Sequence, residues 1–99
     1  MKNLNSSQRS YLKGRAHHLE SIINIGKNGL TDGSIHSINA ALSAKELIKV
    51  KFRDFKDDKQ ELAEKITTET LSHIVGIIGH TLIIFKQNPN PEKQEYKLP

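Results

Sequence analysis

The sequence predicts a mixed α/β fold, a two-layer sandwich in the order α-β-α-β-α-β-β with a mixed four-stranded sheet. Three observations predict it. Apolar residues recur at helical spacing in three segments. Residues 47–53 alternate between apolar and basic side chains, and residues 73–86 form two apolar runs around a Gly-His pair that suits a hairpin. With 99 residues, 35% of them hydrophobic, the chain is expected to form one domain around one modest core.

The first helix is predicted over residues 7–18, with Ser7 as its N-cap. Its apolar residues stand at helical spacing, and they are Tyr11, Leu12, Ala16 and Leu19. Residues 21–25 follow as a short strand, because three isoleucines in five positions favour extended backbone. Such a run is typical of a strand buried on both faces.

The second helix is predicted over residues 32–43, capped by Thr31, with Ile35, Ile38 and Leu42 facing the core. Because this helix lies between two strands, the three elements predict a right-handed β-α-β crossover. The second of these strands has two different faces. One carries Ile48, Val50 and Phe52, and the other carries Lys49, Lys51 and Arg53.

The third helix is predicted over residues 57–71, since acids at its start suit the helix dipole. Its inner stripe consists of Leu62, Ala63, Ile66 and Thr70. In the hairpin that follows, Gly79-His80 suits a type II′ turn with glycine first. Residues 87–99 contain three prolines and little to bury, so we expect an extended or mobile tail after a domain spanning residues 1–86.

Composition excludes several classes of protein. The chain has no cysteine, which rules out disulfides and thiolate metal sites. It begins with no apolar leader and contains no apolar window of roughly 18 residues, so we expect a soluble cytoplasmic protein with no membrane partner. Residues 1–53 carry nine Lys/Arg against three Asp/Glu, whereas residues 54–69 carry three against six. This asymmetry favours one face for an anionic partner, although ordinary surface solvation gives the same pattern.

The segment GKNG, residues 26–29, joins the first strand to the second helix. Gly26 and Gly29 can adopt positive φ angles or let another backbone approach closely. Lys27 adds a positive charge, Asn28 adds an amide donor, and the following helix start favours an anion. A strand-to-helix turn also uses two glycines for purely steric reasons. The pattern therefore leaves open a phosphate site and a simple turn.

No pattern of catalytic or metal-binding residues is present in the sequence. A nucleotide-binding Walker loop places lysine and a hydroxyl directly after its last glycine, whereas Lys27 follows the first glycine here. The five histidines show no metal-binding spacing such as H-x-x-x-H. No Ser/His/Asp arrangement is legible. The sequence therefore predicts a protein that is no enzyme and has no cofactor, metal site or small-molecule substrate.

Four segments together resemble a known family. They are LKGRAHHL at 12–19, INIGKNGLTDG at 24–33, ELIKVKF at 46–52 and IIGHTLIIFK at 77–86. Their order and spacing resemble the CRM domain, the chloroplast RNA splicing and ribosome maturation module, and most of all its stand-alone bacterial YhbY type. The resemblance covers residues 7–86. It implies the fold above with a KH-like G-x-x-G loop that binds structured RNA, and association with the precursor of the large ribosomal subunit.

The resemblance also implies which residues contact RNA. In this sequence they are the loop residues Gly26, Lys27, Asn28 and Gly29 and the helix residues Arg9, Lys13 and Arg15. We add three residues to this set of candidate RNA contacts: Thr31 at the helix start, and Lys49 and Lys51 on the second strand. The row that these two lysines form with Arg53 is either an RNA-binding face or a solvated face of the sheet. The family usually has lysine or arginine where His80 stands, and its G-x-x-G loop is KH-like only locally. With five aromatic residues and no aromatic strand, the chain is expected to recognise mainly backbone and shape, and base stacking is expected to contribute little.

The sequence thus predicts a monomeric, non-enzymatic protein that binds the phosphates of structured RNA. The expected partner is ribosomal RNA of the large-subunit precursor. The alternative is a protein–protein adaptor that uses the acidic third helix and the tail and binds no RNA. A small phosphate-handling enzyme is a third and weaker alternative.

Overall fold

The computed structural model describes residues 3–99, and this part of the chain contains three α-helices and four strands. The helices are α1 (Ser6–Ala16), α2 (Asp32–Lys45) and α3 (Lys59–Thr70). The strands are β1 (Ser21–Ile25), β2 (Leu47–Phe52), β3 (His73–Ile78) and β4 (Thr81–Phe85). The predicted element order is therefore confirmed. Within the described residues, no helix is long and apolar enough to span a bilayer.

The four strands form one mixed sheet in the order β1-β2-β4-β3. Strand β1 runs parallel to β2, and β4 is antiparallel to both β2 and β3. In this register Ile25 pairs with Phe52, and Lys51 pairs with Thr81. As a result, the carboxyl ends of β1 and β2 lie beside the hairpin turn between β3 and β4. We call this edge the loop end of the sheet.

Helices cover both faces of the sheet. On one face, α2 and α3 bury Ile38, Leu42, Ala63 and Ile66 against β2 and β4, which matches the predicted two-layer packing. On the opposite face, α1 packs on a second core cluster formed with Leu47, Val75, Ile83 and Phe85. This layer goes beyond the predicted two-layer sandwich. It is needed because residues 82–85 of the central strand β4 are all apolar, so both faces of this strand require a cover.

Two element boundaries and the burial of one strand differ from the sequence-based prediction. Helix α1 begins after Asn5 rather than at Ser7, because Asn5 and Gln8 form a reciprocal capping box. A short 3₁₀ turn, Lys56–Asp58, precedes α3. The expectation that β1 is buried on both faces is wrong. It is an edge strand, and Ile22 keeps 45% of its surface exposed because α1 packs on β3, β4 and the start of β2.

The tail at residues 87–99 is docked on the domain rather than free. Tyr96 is buried, its ring lies edge-on to Phe85 at 6.2 Å between centroids, and Leu98 packs against the same cluster. Burial raises the pKa of the Tyr96 phenol above its usual value. The expectation that the tail has little to bury is therefore wrong for these two residues, because the tail extends the layer formed by α1.

Glu46 fastens this tail. The residue is 2% exposed and has a φ angle of 62° at the end of α2, a conformation that costs free energy in any residue other than glycine. Its carboxylate accepts hydrogen bonds from the backbone N–H groups of Asn88 and Glu95, both at 2.6 Å, and its carbonyl accepts one from Lys86. These bonds compensate the burial of the carboxylate and join two segments more than 40 residues apart in sequence.

Candidate nucleic-acid interface

Residues 26–29 form a tight turn at the loop end. The Gly29 N–H donates to the Gly26 carbonyl at 2.9 Å, which closes the turn. Gly29 has a φ angle of 65°, whereas neither Lys27 nor Asn28 has a positive φ angle. Conformational freedom is thus required at Gly29 alone. A Cβ atom at Gly26 would meet no atom within 4 Å, so the space beside this residue is open.

The turn itself offers donors to an anion. The N–H groups of Lys27 and Asn28 have no protein acceptor among residues 3–99, and both side chains are exposed. Two N–H groups at the start of α2 already have acceptors. The Thr31 N–H donates to the Ser34 hydroxyl at 2.7 Å, and the Ser34 N–H donates to the Thr31 hydroxyl at 3.1 Å. Asp32 adds a carboxylate in the first turn of α2. The candidate donors to an anion are therefore the turn amides and Lys27 more than the helix end, and the hydroxyl of Thr31 serves as a helix cap.

The segment that follows β2 is fastened beside this turn. The backbone N–H groups of Arg53 and Asp54 both donate to the Ile25 carbonyl, at 2.8 and 3.2 Å. The Arg53 side chain donates from Nε to Asn24 Oδ1 at 3.1 Å. These bonds hold the Arg53 guanidinium next to the start of the turn.

Phe55 lies directly against the turn, and the sequence-based prediction did not include it. A Cβ atom built on Gly29 would lie 3.3 Å from Cε2 of the Phe55 ring. The ring is 39% exposed, and the residue has a φ angle of 55°. The sequence does contain a signal for this residue. Phe55 is an aromatic residue within the charged run D-F-K-D-D, and folding alone gives little reason for an aromatic side chain at that place.

The β3–β4 hairpin turn completes the loop end. Gly79 has a φ angle of 60° and His80 has no positive φ angle, as the predicted type II′ turn requires. The Phe52 N–H donates to the His80 carbonyl at 2.8 Å. Lys59 donates from Nζ to the Gly79 carbonyl and lies 3.4 Å from Nδ1 of His80. A cation that the sequence-based prediction overlooked thus stands beside His80.

The predicted lysine row lies on the face of the sheet that α1 covers only in part. Lys49 donates from Nζ to the Leu19 carbonyl at 2.9 Å. The register aligns Lys51 with Asn24 on one neighbouring strand and with Thr81 on the other. A groove of about 310 Å³ on this face is lined by Lys13, His17, Leu19, Ser21, Lys49, Ile78, Thr81 and Ile83. We call Lys13, Lys49, Lys51 and Arg53 the basic sheet face.

The other two basic residues predicted on α1 point elsewhere. Arg9 donates to the Leu4 carbonyl at 2.6 Å, and the guanidinium of Arg15 lies 5.6 Å above the centre of the Tyr96 ring. Both side chains therefore hold the ends of the chain on the domain. Of the three basic residues predicted on this helix, Lys13 alone joins the basic sheet face.

Charge is distributed unevenly between these surfaces. The loop end mixes cations with carboxylates, namely Lys27, Lys56 and Lys59 with Asp32, Asp54, Asp57 and Asp58. The groove on the basic sheet face, by contrast, has no carboxylate among the described residues that line it. A second cavity, of about 730 Å³ between α3 and the tail, is lined by none of the predicted site residues. The basic sheet face is therefore the surface whose charge is the more favourable of the two for an anionic polymer.

A small mixed α/β domain with a cationic sheet face that ends at a glycine-flanked turn belongs to the class of candidate nucleic-acid-binding domains. Residues 4–86 match the model of the CRS1 / YhbY (CRM) domain, and the chain belongs to this family. The family resemblance stated from the sequence is thereby confirmed.

Individual relatives match along nearly the whole chain. The Bacillus subtilis protein named "Probable RNA-binding protein YqeI" is 36% identical over 97 residues, which are 97% of this chain and 99% of that protein. A Haemophilus influenzae protein named "RNA-binding protein" is 38% identical over an alignment of 100 positions, which covers 100% of this chain and 98% of that one. The solution structure of a hypothetical Staphylococcus aureus protein superimposes with a TM-score of 0.82 at 36% identity, covering 97% of this chain and 99% of that one.

Proposed function

We propose that this protein binds structured RNA through backbone phosphates, along a path from the GKNG turn across the basic sheet face. The observation that carries the proposal is the continuity of the two surfaces, since Arg53 bonds to Asn24 beside the turn and Lys49 shares a groove with Lys13. The names of the relatives support RNA as the ligand. Such an interaction requires no cofactor and no catalytic step.

The affinity for RNA should fall steeply with salt. Contacts from Lys13, Lys27, Lys49, Lys51 and Arg53 amount to about four to six phosphates, which gives a slope of log affinity against log salt of about −3 to −5. This slope is measured by titrating a labelled RNA hairpin at roughly 50 to 300 mM salt, a range over which the screening of exposed charges increases strongly. A slope near zero would refute a phosphate-based mechanism.

We further propose that the RNA is ribosomal RNA of the large-subunit precursor, bound in the cytoplasm by a monomer of this protein. Family membership supports this assignment by analogy. The protein should then co-sediment with free large subunits or their precursors more than with translating ribosomes, and crosslinking in cells followed by sequencing should recover large-subunit RNA. A gradient at low salt in which the protein stays entirely in the soluble fractions would contradict the proposal.

The adaptor alternative has weaker support. It relies on the acidic third helix and on a tail available to a partner, whereas residues 88 and 95–96 of the tail are bonded to Glu46 and Tyr96 is buried. An RNA titration separates the two functions, because an adaptor of this kind shows no salt-dependent binding to RNA.

A further inference from the structure

We propose that Phe55 stacks on an unpaired RNA base, so that the GKNG turn takes a nucleotide from a loop, a bulge or a strand end rather than from a continuous duplex. The inference rests on the proposed RNA binding and goes beyond it, because it names the structural class of RNA that the site selects. It also departs from the sequence-based expectation that base stacking makes only a minor contribution.

The ring is held in place without being part of either core cluster. The two bonds from Arg53 and Asp54 to Ile25 fix the backbone before it, and the Phe55 N–H donates to Asp54 Oδ1 at 2.8 Å. After it, the Asp58 N–H donates to the Phe55 carbonyl at 3.0 Å. A left-handed aromatic residue is strained, and such strain persists only where the surroundings fix the conformation. The backbone that carries the ring is therefore fixed, and the residue remains 39% exposed.

The position of the ring suits a base whose phosphate lies on the turn. The ring lies over Gly29, 3.3 Å from the position that a Cβ atom of this residue would take, and Gly29 follows the amides of Lys27 and Asn28, which are free within the described residues. A phosphate at those amides therefore has the attached base within reach of the ring. In an A-form duplex the bases stack on each other and offer no free face, whereas the bases of loops and bulges do.

The charges around the ring favour a base over a second phosphate. Asp54 precedes the ring, and Asp57 and Asp58 follow within one turn of the chain. These exposed carboxylates repel a phosphate but tolerate the neutral face of a nucleobase. Aromatic stacking accepts any base, because each base has a π face, so we infer selection for unpaired structure and not for sequence.

Three RNAs of equal length test the inference: a hairpin with an open loop, a single strand and a blunt duplex. Phe55→Leu, which keeps an apolar cover on Gly29, should lower affinity for the hairpin and the single strand by about tenfold and leave affinity for the duplex unchanged. Phe55→Tyr should retain binding. Leu71→Ala, a matched control at another exposed apolar residue, at the far end of α3, should behave like the parent.

Nuclear magnetic resonance supplies a readout that a purely structural role would not change. The chain has three phenylalanines, and Phe52 and Phe85 are fully buried, so the ring protons of Phe55 are readily assigned. Stacking on a base should shift them upfield with the hairpin and not with the duplex. This measurement on the parent protein also decides the case if Phe55→Leu proves less stable.

Either of two results would overturn the inference. One is that the ring-proton shifts of Phe55 do not change when the hairpin is added, and the other is that a folded Phe55→Leu variant loses the same affinity for all three RNAs. If the parent binds RNA with the expected salt slope under either result, the proposed function stands and the stacking role alone is wrong. A parent that binds none of the three RNAs refutes both.

Discussion

Replacing Gly26 by aspartate should lower the affinity for RNA by about 10- to 100-fold, because it puts a carboxylate where the turn is proposed to hold a phosphate. Folding should be nearly unaffected. A Cβ atom at this position meets no atom within 4 Å, and the backbone has no positive φ angle. Parallel RNA titration and thermal melting of parent and variant measure the two effects separately.

Gly26→Asn is the matched control, since it adds a side chain of the same size without the charge and should keep most of the affinity. Gly29→Asp is a less clear test. Gly29 has a φ angle of 65°, and a Cβ atom at this residue would lie 3.3 Å from the Phe55 ring. A side chain at Gly29 would therefore also disturb the turn. If Gly26→Asp melts like the parent and binds RNA equally well, residues 26–29 are a simple turn and hold no phosphate.

Replacing Glu46 by alanine should lower the free energy of unfolding by about 2–4 kcal/mol and release the tail. The backbone N–H groups of Asn88, Glu95 and Tyr96 would lose their acceptor, and the two bonds at 2.6 Å involve an ionised group, which makes them strong. Alanine keeps the unfavourable φ angle of 62°, so no relief of strain offsets the loss. Urea unfolding measures the stability, and hydrogen exchange of residues 88–96 reports the release.

Glu46→Gln serves as the companion variant. Glutamine retains one acceptor oxygen at nearly the same position, so its effect should be intermediate between parent and alanine. Unchanged stability and unchanged amide protection in Glu46→Ala would show that the tail is held by its apolar contacts at Tyr96 and Leu98 rather than by the carboxylate.

The elements that were predicted well depend on neighbouring residues. Each of three features is determined by residues within a few positions of one another, so each can be predicted from the sequence. They are the alternation of residues 47–53, the Thr31 cap and the Gly79-His80 turn. The directions of two strand pairs are local in the same sense, since a helix between β1 and β2 allows a parallel pair and the two-residue turn between β3 and β4 enforces an antiparallel one. The glycine turn was located for this reason, and Gly29 was recognised as one of its special positions. The pairing of β4 rather than β3 with β2 does not follow from either rule, and it was not predicted.

The features that were missed depend on contacts between distant segments. Glu46 meets residues 88 and 95, and Arg15 meets Tyr96, and no local pattern indicates either contact. Whether an arginine faces a ligand or secures the chain end therefore cannot be read from its spacing on a helix. Phe55 was missed for the same reason, because the contact that places its ring on Gly29 joins two loops 26 positions apart.

RNA phosphates are proposed to bind along the GKNG turn and the basic sheet face. An amide chemical-shift titration with an RNA hairpin, at low and at high salt, tests this proposal most directly. Binding along this path should shift the amides of residues 26–30, of residues 49–55 and near Lys13, and these shifts should shrink together as salt is raised. Shifts confined to the cavity between α3 and the tail, at residues 67–73 and 86–89, or shifts that do not respond to salt, would contradict it.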